Sequence, residues 1–226
     1  MTDYAEAWER QKAYQARVLA VKMENRLRPD PLPTPNYLIF CEHPPVFTLG
    51  KNAKKEHLPS DAAFFSERGI GCYAVERGGD VTFHGPGQIV GYPIFDLENF
   101  FTDLSRYMRT LEEAIIRTLS DYGVEAGRLA GYTGVWLEPQ TPRARKIAAM
   151  GVKCSRWVTM HGFAFNVSTD LRYFDWIVPC GIRDKGVTSL ARELGFAPDL
   201  AEVKRRLKDR LLELFEPAYK GATPVR

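Results

Sequence analysis

Long apolar runs, paired cysteines and a strong charge of either sign are all missing from this 226-residue chain. Each absence removes a class of protein. The longest uncharged apolar stretches fall well short of the about 20 residues that a membrane-spanning helix needs, so no membrane location is expected. The N-terminal MTDYAEAWERQKAYQ mixes acids and bases and has no apolar core of signal-peptide length. Neither a secretory signal nor a transit peptide is read there, and a cytoplasmic location is the expectation. Lys and Arg number 31 against 28 Asp and Glu, leaving a net charge of +3, too mild to argue for a nucleic-acid partner. The four cysteines, Cys41, Cys72, Cys154 and Cys180, are widely spaced and form no CxxC pair. Free thiols are expected in a reducing compartment. With no Cys/His cluster at ligand spacing, no metal site is expected. A GKS or GKT loop and a GxGxxG fingerprint are also missing, so no nucleotide cofactor is called for.

What remains is an ordinary globular composition, 45% hydrophobic and 26% charged, on a chain long enough to bury a core without disulfides. Residues 3–28 read as an amphipathic helix, with Trp8, Gln11, Tyr14, Val18 and Val21 at helical spacing. Pro29, Pro31, Pro33 and Pro35 force an extended connector. Strands are expected at 37–42, 46–49, 72–76, 88–95, 132–137, 145–153 and 157–167, the last covered on both faces. Ser60 is expected to cap a short helix over 61–68, ended by Gly69. Thr102 or Asp103 is expected to cap a helix carrying Leu104, Met108, Leu111, Ile115 and Leu119 as one stripe, stopped by Gly123. Thr188 is expected to cap another ending at Gly195. Asp199 is expected to cap a last helix with Leu200, Val203, Leu207, Leu211 and Leu214 inward. Strands in succession rather than in strict alternation with helices argue against a doubly wound fold. They predict an α/β (α+β) domain with a mixed, mostly antiparallel sheet and packed helices.

The segment Arg77-Gly78-Gly79-Asp80-Val81-Thr82-Phe83-His84-Gly85-Pro86-Gly87 concentrates two tight corners in eleven residues. Gly78 and Gly79 can take positive φ and let a ligand lie against bare backbone. Gly85-Pro86-Gly87 makes the second corner. Arg77 and His84 bracket the segment as possible donors. A β-hairpin with a glycine turn and a bulge is the plain alternative to a binding wall. Val81 and Phe83 suit an apolar ligand better than a phosphate.

Cys180 stands between Pro179 and Gly181, a rigid and uncluttered setting for a nucleophile. Cys41, Cys72 and Cys154 read instead as small buried hydrophobes. A free thiol has a pKa of about 8.5, so a useful nucleophile needs a nearby cation or base. His161, His84 and Lys146 are the candidates. Lys146 opens the apolar run Lys-Ile-Ala-Ala-Met-Gly151 and could be held against the core, where burial would lower its pKa. A solvated surface charge is the alternative.

In order along the chain, RGGDVTFHGPGQIVGYPIFDL, KIAAMGV, WVTMHGFAFNV and IVPCGI closely resemble the lipoate-biosynthesis octanoyltransferases. The resemblance runs from about Tyr37 to Gly195. It implies a fold like the catalytic domains of biotin and lipoate protein ligases, in a single catalytic domain over 1–226 with its core at about 37–195 and flanking helices at both ends. It implies Cys180 as the acyl-thioester nucleophile and Lys146 as the residue that lowers its pKa or takes its proton. The substrate would be bound by Arg77, Gly78, Gly79, Asp80, Val81, Thr82, Phe83 and His84, by Ala149, Met150 and Gly151, and by Gly162, Phe163 and Ala164. Asp80 and Ala149 would contribute through backbone.

The donor so implied is octanoyl-acyl carrier protein. The acceptors are lysines on lipoyl domains of 2-oxoacid dehydrogenase complexes and on the glycine cleavage H protein. No ATP and no cofactor are needed for thioester-to-amide transfer. Basic residues of the last helix (Lys204, Arg205, Arg206, Lys208, Arg210) form a solvated face, with steering of acidic partners as the alternative. An ATP-dependent ligase of the same fold, a Cys180–His161 hydrolase and a non-enzymatic lipoyl-domain binding module remain as competing readings.

Overall fold

Asp3 starts the first helix by accepting hydrogen bonds from the backbone N–H groups of Ala5 and Glu6, satisfying donors that a helix start leaves unpaired. The computed structural model of the chain describes residues 1–59, 64–178 and 185–219. The helix α1 spans Tyr4–Asn25, and its buried face is Tyr4, Ala7, Gln11, Gln15 and Val18. That face is rotated from the expected one, since Trp8, Tyr14 and Val21 are only partly buried. Two glutamines are tolerated inside because each meets strand backbone. Gln15 Nε2 donates to the carbonyl of Val158 at 3.1 Å, and Gln11 Oε1 accepts from the N–H of His161 at 3.0 Å.

Among the described residues, ten strands follow in chain order: β1 Tyr37–Cys41, β2 Val46–Leu49, β3 Gly71–Ala74, β4 Val81–His84, β5 Gln88–Ile94, β6 Gly127–Leu129, β7 Tyr132–Leu137, β8 Arg145–Ser155, β9 Val158–Asn166 and β10 Gly186–Val187. The main sheet runs β1-β5-β9-β8-β7-β6, with β10 added parallel to β8. All other pairs in it are antiparallel. Arg156 (φ 50°) and Trp157 (φ 66°) turn β8 into β9, both left-handed as a two-residue hairpin turn requires. A small sheet β3-β2-β4 stands beside it.

Helices α2 (Leu104–Ser120), α3 (Leu190–Leu194) and α4 (Leu200–Phe215) complete the fold. Leu111, Ala114, Ile115 and Leu119 of α2 and Val203, Leu207, Leu211 and Phe215 of α4 pack on Ile89, Val135, Ile147, Phe163 and Phe165 of the main sheet. Helix α1 covers other strand residues, setting Ala7 against Val90, Tyr92 and Ala164, and Val18 against Ile94 and Val158. Every residue of β9 is buried, as a strand covered on both faces must be.

Several expectations need correction. The glycine-rich segment is not a simple turn between strands, because Val81–His84 is itself a strand, paired antiparallel with β2. The strand expected at 72–76 is Gly71–Ala74. The short strands β6 and β10 were outside the reading. Ser189, not Thr188, caps α3 by accepting from the N–H of Arg192. Asp103 rather than Thr102 caps α2. Cys72 is exposed on the edge strand β3, not a buried hydrophobe, whereas Cys41 is buried. On α4, Arg205 pairs with Asp209, Arg206 with Glu202 and Arg210 with Asp121, as on an ordinary solvated face. Ser60 and the start of its expected helix lie outside the described residues, as does Cys180. Ser66–Arg68 form a single 3-10 turn ended by Gly69 at φ 62°.

Candidate active site

The glycine-rich segment is laid against β8. Gly78 N–H donates to the carbonyl of Val152 at 2.9 Å. A Cβ on Gly151 would lie 2.8 Å from the Gly78 oxygen and 3.0 Å from Arg77 Cδ, and one on Gly50 would lie 2.3 Å from the Gly79 oxygen. These contacts are possible only with bare backbone. They leave a cleft of about 1140 Å³ between the segment, β5, β8 and β9.

Most residues named from the sequence meet in this cleft. Its walls include Arg77, Gly78, Gly79, Asp80, Val81, Thr82 and His84, then Lys146, Ala149, Met150 and Gly151, then Gly162, Phe163 and Ala164. Among the described ones, Phe83 is the exception. It lies in the core of the small sheet, with Phe47, Val81 and Ile177, and stacks on Tyr173 with ring centroids 4.3 Å apart. Alternation along β4 sets Phe83 on the face opposite Thr82 and His84, and on that face only Val81, at the start of the strand, also reaches the cleft. Gly85 is bare for the same ring, since its Cβ would meet Phe83 Cζ at 2.4 Å.

Arg77 is a pin rather than an open donor. Its guanidinium NH2 donates to the carbonyl of Thr48 at 2.7 Å and to Thr48 Oγ1 at 3.0 Å, and its NH1 donates to Gly78 O at 3.1 Å. The loop is thereby tied to β2. His84 continues the network. Its Nδ1 donates to Gln88 Oε1 at 2.8 Å, while Gln88 Nε2 donates to Asn166 Oδ1 at 2.8 Å. Asn166 Nδ2 in turn donates to Thr188 O at 3.0 Å, and Thr188 N–H donates to Lys146 O at 2.9 Å. A chain of hydrogen bonds therefore joins the glycine-rich segment to the backbone of Lys146. Burial, reinforced by the charges of His43 and Arg77, pushes the His84 pKa down to about 3, so the ring is neutral at physiological pH.

His161, 2% exposed, is likewise held neutral, its pKa pushed down to about 3 by burial and then by Arg77 and Lys153. It holds φ 62° inside β9, a conformation that costs a non-glycine residue of order 1–3 kcal/mol. Neither histidine is suited to take up a proton near neutral pH.

Asp80 uses its side chain as well as its backbone. Oδ1 accepts from the N–H of Val81 at 2.7 Å, and Oδ2 pairs with His57 Nδ1. His57 was not singled out from the sequence. It lines the cleft, and its carbonyl accepts from Val178 N–H at 3.0 Å.

Lys146 is half-buried, with Nζ 4.7 Å from the centroid of the Trp136 ring. Gly134 also escaped the sequence reading. An isolated glycine inside a strand pattern was the available signal, since it marks a bulge or a close approach. Val187 of β10 pairs with Lys146. Among the described cysteines, burial pushes the thiols of Cys41 and Cys154 up, away from nucleophilic use.

The described residues hold no group of three or more His, Cys, Asp or Glu placed to bind a metal ion. No described helix is long and apolar enough to cross a membrane.

The family model for the lipoyl protein ligase A/B catalytic domain matches residues 3–212. An octanoyltransferase of Flavobacterium johnsoniae is 56% identical over 215 residues, covering 95% of this chain and 93% of that relative. One from Cytophaga hutchinsonii is 52% identical, covering 99% of this chain and 93% of its own. A bipartite lipoate protein ligase of Thermoplasma acidophilum superimposes with a TM-score of 0.66 at 17% identity, over 90% of this chain and 79% of the ligase chain. At that identity the likeness is one of fold.

Proposed function

This chain belongs to the octanoyltransferases of the lipoyl protein ligase A/B catalytic family, and on that premise we propose that it moves an octanoyl group from an acyl carrier protein thioester to a lysine of a lipoyl domain, through a thioester on Cys180. The carrying observation is the cleft itself, bare-walled at Gly78, Gly79, Gly151 and Gly162 and reaching Lys146. Its volume of about 1140 Å³ is a little above the usual range of small-molecule sites, about 300–1,000 Å³, which leaves room for an acyl chain and a carrier or acceptor arm. Burying the roughly seven saturated carbons of the chain is worth about 6 kcal/mol.

Cys180 lies outside the described residues, but both flanks of its segment are described. Val178, two residues before it, is bonded to His57, and Val187, seven residues after it, pairs with Lys146. Chain connectivity therefore supports pairing Cys180 with Lys146.

In the proposed first half, the Lys146 amine takes the Cys180 proton. The thiolate attacks the octanoyl carbonyl, the new C–S bond forms, and the carrier's C–S bond breaks. The departing thiolate receives the proton from the Lys146 ammonium. In the second half, the acceptor lysine's amine attacks the octanoyl-cysteine carbonyl. A C–N bond replaces the C–S bond, Lys146 takes the amine proton, and that proton returns to Cys180. Splitting the transfer this way is nucleophilic catalysis with proton transfer by a positioned amine. One catalytic domain over 1–226 accommodates this reading.

The test is transfer from an octanoyl-carrier protein to an unmodified lipoyl domain with no nucleotide present. Octanoylated lipoyl domain is the expected product. Strict dependence on ATP would indicate a ligase, and release of free octanoate alone would indicate a hydrolase.

A further inference from the structure

Helix α2 carries one carboxylate that is fully buried. Glu112 is 0% exposed, a placement that is costly unless both oxygens are satisfied. Oε2 takes Arg109 NH1 at 2.5 Å and Arg128 Nε at 3.0 Å. Oε1 does something different: it accepts the backbone N–H of Gly134, in β7, at 2.9 Å.

That amide sits beside an irregularity in the sheet. Val135 faces Ala148 while Trp136 faces Lys146, so Ile147 is the extra residue of a bulge in β8. Bulges bend a strand and re-aim the side chains beside them. Gly134 holds φ 127°, and a Cβ there would lie 2.6 Å from Ala148 O, 3.3 Å from Lys146 Cε and 3.5 Å from Lys146 Cδ. The lysine stem therefore runs across the bare Cα of Gly134, with the Trp136 face 4.7 Å from its nitrogen. Long basic side chains lie along apolar surface in this way and present only the charged end.

We propose that Glu112 and Gly134 are positioning residues for Lys146: the buried carboxylate fixes the Gly134 amide, which keeps bare backbone under the lysine stem and holds its ammonium in the cleft. The proposal rests on the reading of Lys146 as the group that ionises Cys180. It does not require either residue to touch substrate.

The experiment is the rate of Cys180 alkylation by iodoacetamide as a function of pH, read at that residue by mass spectrometry, with folding followed by thermal unfolding. The whole chain is used, in Lys146→Met, Glu112→Gln, Glu112→Leu and Gly134→Ala variants. Lys146→Met moves the acid limb of the profile upward, so that alkylation at neutral pH is roughly tenfold slower. Gly134→Ala and Glu112→Leu move it in the same direction. Glu112→Gln keeps the parent profile, because its amide oxygen still accepts from Gly134, although losing the charge beside Arg109 and Arg128 lowers its unfolding temperature. A folded Gly134→Ala or Glu112→Leu with the parent profile overturns the proposal. So does a Glu112→Gln profile displaced as far as that of Lys146→Met, because the charge and not the hydrogen bond would then be at work. A Lys146→Met profile identical to the parent instead overturns the role of Lys146 itself.

Discussion

The Gly78 carbonyl oxygen and Gly151 touch across the cleft floor, 2.8 Å separating that oxygen from the place a Cβ on Gly151 would occupy. The glycine-rich segment and β8 can close on each other only because residue 151 has no side chain. Gly78 is different: its own Cβ would meet nothing nearer than Val152 O at 3.6 Å, an ordinary contact.

Gly151→Ala is therefore expected to lift the segment from β8. Overpacking of this kind costs about 1–3 kcal/mol, and the KM for the octanoyl donor is expected to rise. Gly78→Ala is expected to change stability by less than about 1 kcal/mol. Thermal unfolding of both variants beside steady-state transfer checks the contrast.

Lys146→Met keeps an unbranched stem beside Gly134 and Trp136 and removes the ammonium. The expected result is a loss of about 10²–10⁴ in kcat with an unfolding temperature near that of the parent. Single-turnover transfer, with circular dichroism as the control for folding, measures both. A kcat within a factor of a few of the parent contradicts the proposed proton transfer.

His84 gives a pH signature of stability rather than of activity. Burial holds its folded pKa at about 3, against about 6.5 in an unfolded chain. Between those values the unfolded state binds more protons, so stability falls as the pH drops from about 6.5 toward 3 and is independent of this group above 6.5. His161 adds a slope of the same sign, its folded pKa also being about 3. Denaturant unfolding from pH 7 to pH 4 is expected to show this loss, with a shallower slope in His84→Gln. Neither histidine is expected to add a limb to the transfer profile near pH 6–7.

Much of the fold was legible because its long elements are periodic. In α2, Leu111, Ile115 and Leu119 are fully buried as their spacing requires, and β9, which has no cleanly polar face, is covered on both. What escaped was decided by distant partners. The inward face of α1 carries Gln11 and Gln15, which no apolar stripe reveals, because β9 backbone supplies their bonds. β4 is four residues between Asp80 and Gly85 in a glycine-rich stretch and reads as a turn until β2 pairs with it. Cys72 looks buried in an apolar run but lies on an edge strand.

The cleft was legible for a different reason. Bare-backbone walls need glycines at set places, and Gly79, Gly151 and Gly162 stand in the sequence as such. Phe83 was misplaced because strand alternation sends it to the opposite side from Thr82 and His84. Glu112, Gly134 and His57 were missed because each acts through a residue remote in sequence, such as Glu112 on Gly134 and His57 on Asp80.

The most direct test of the covalent route is intact-protein and peptide mass spectrometry after incubation with octanoyl-carrier protein alone, without nucleotide. The expected result is one added octanoyl group, mapped to Cys180, discharged when a lipoyl domain is supplied and missing in Cys180→Ser. An octanoyl group on another residue, or full transfer by Cys180→Ala with no acylated enzyme at any time, would contradict it.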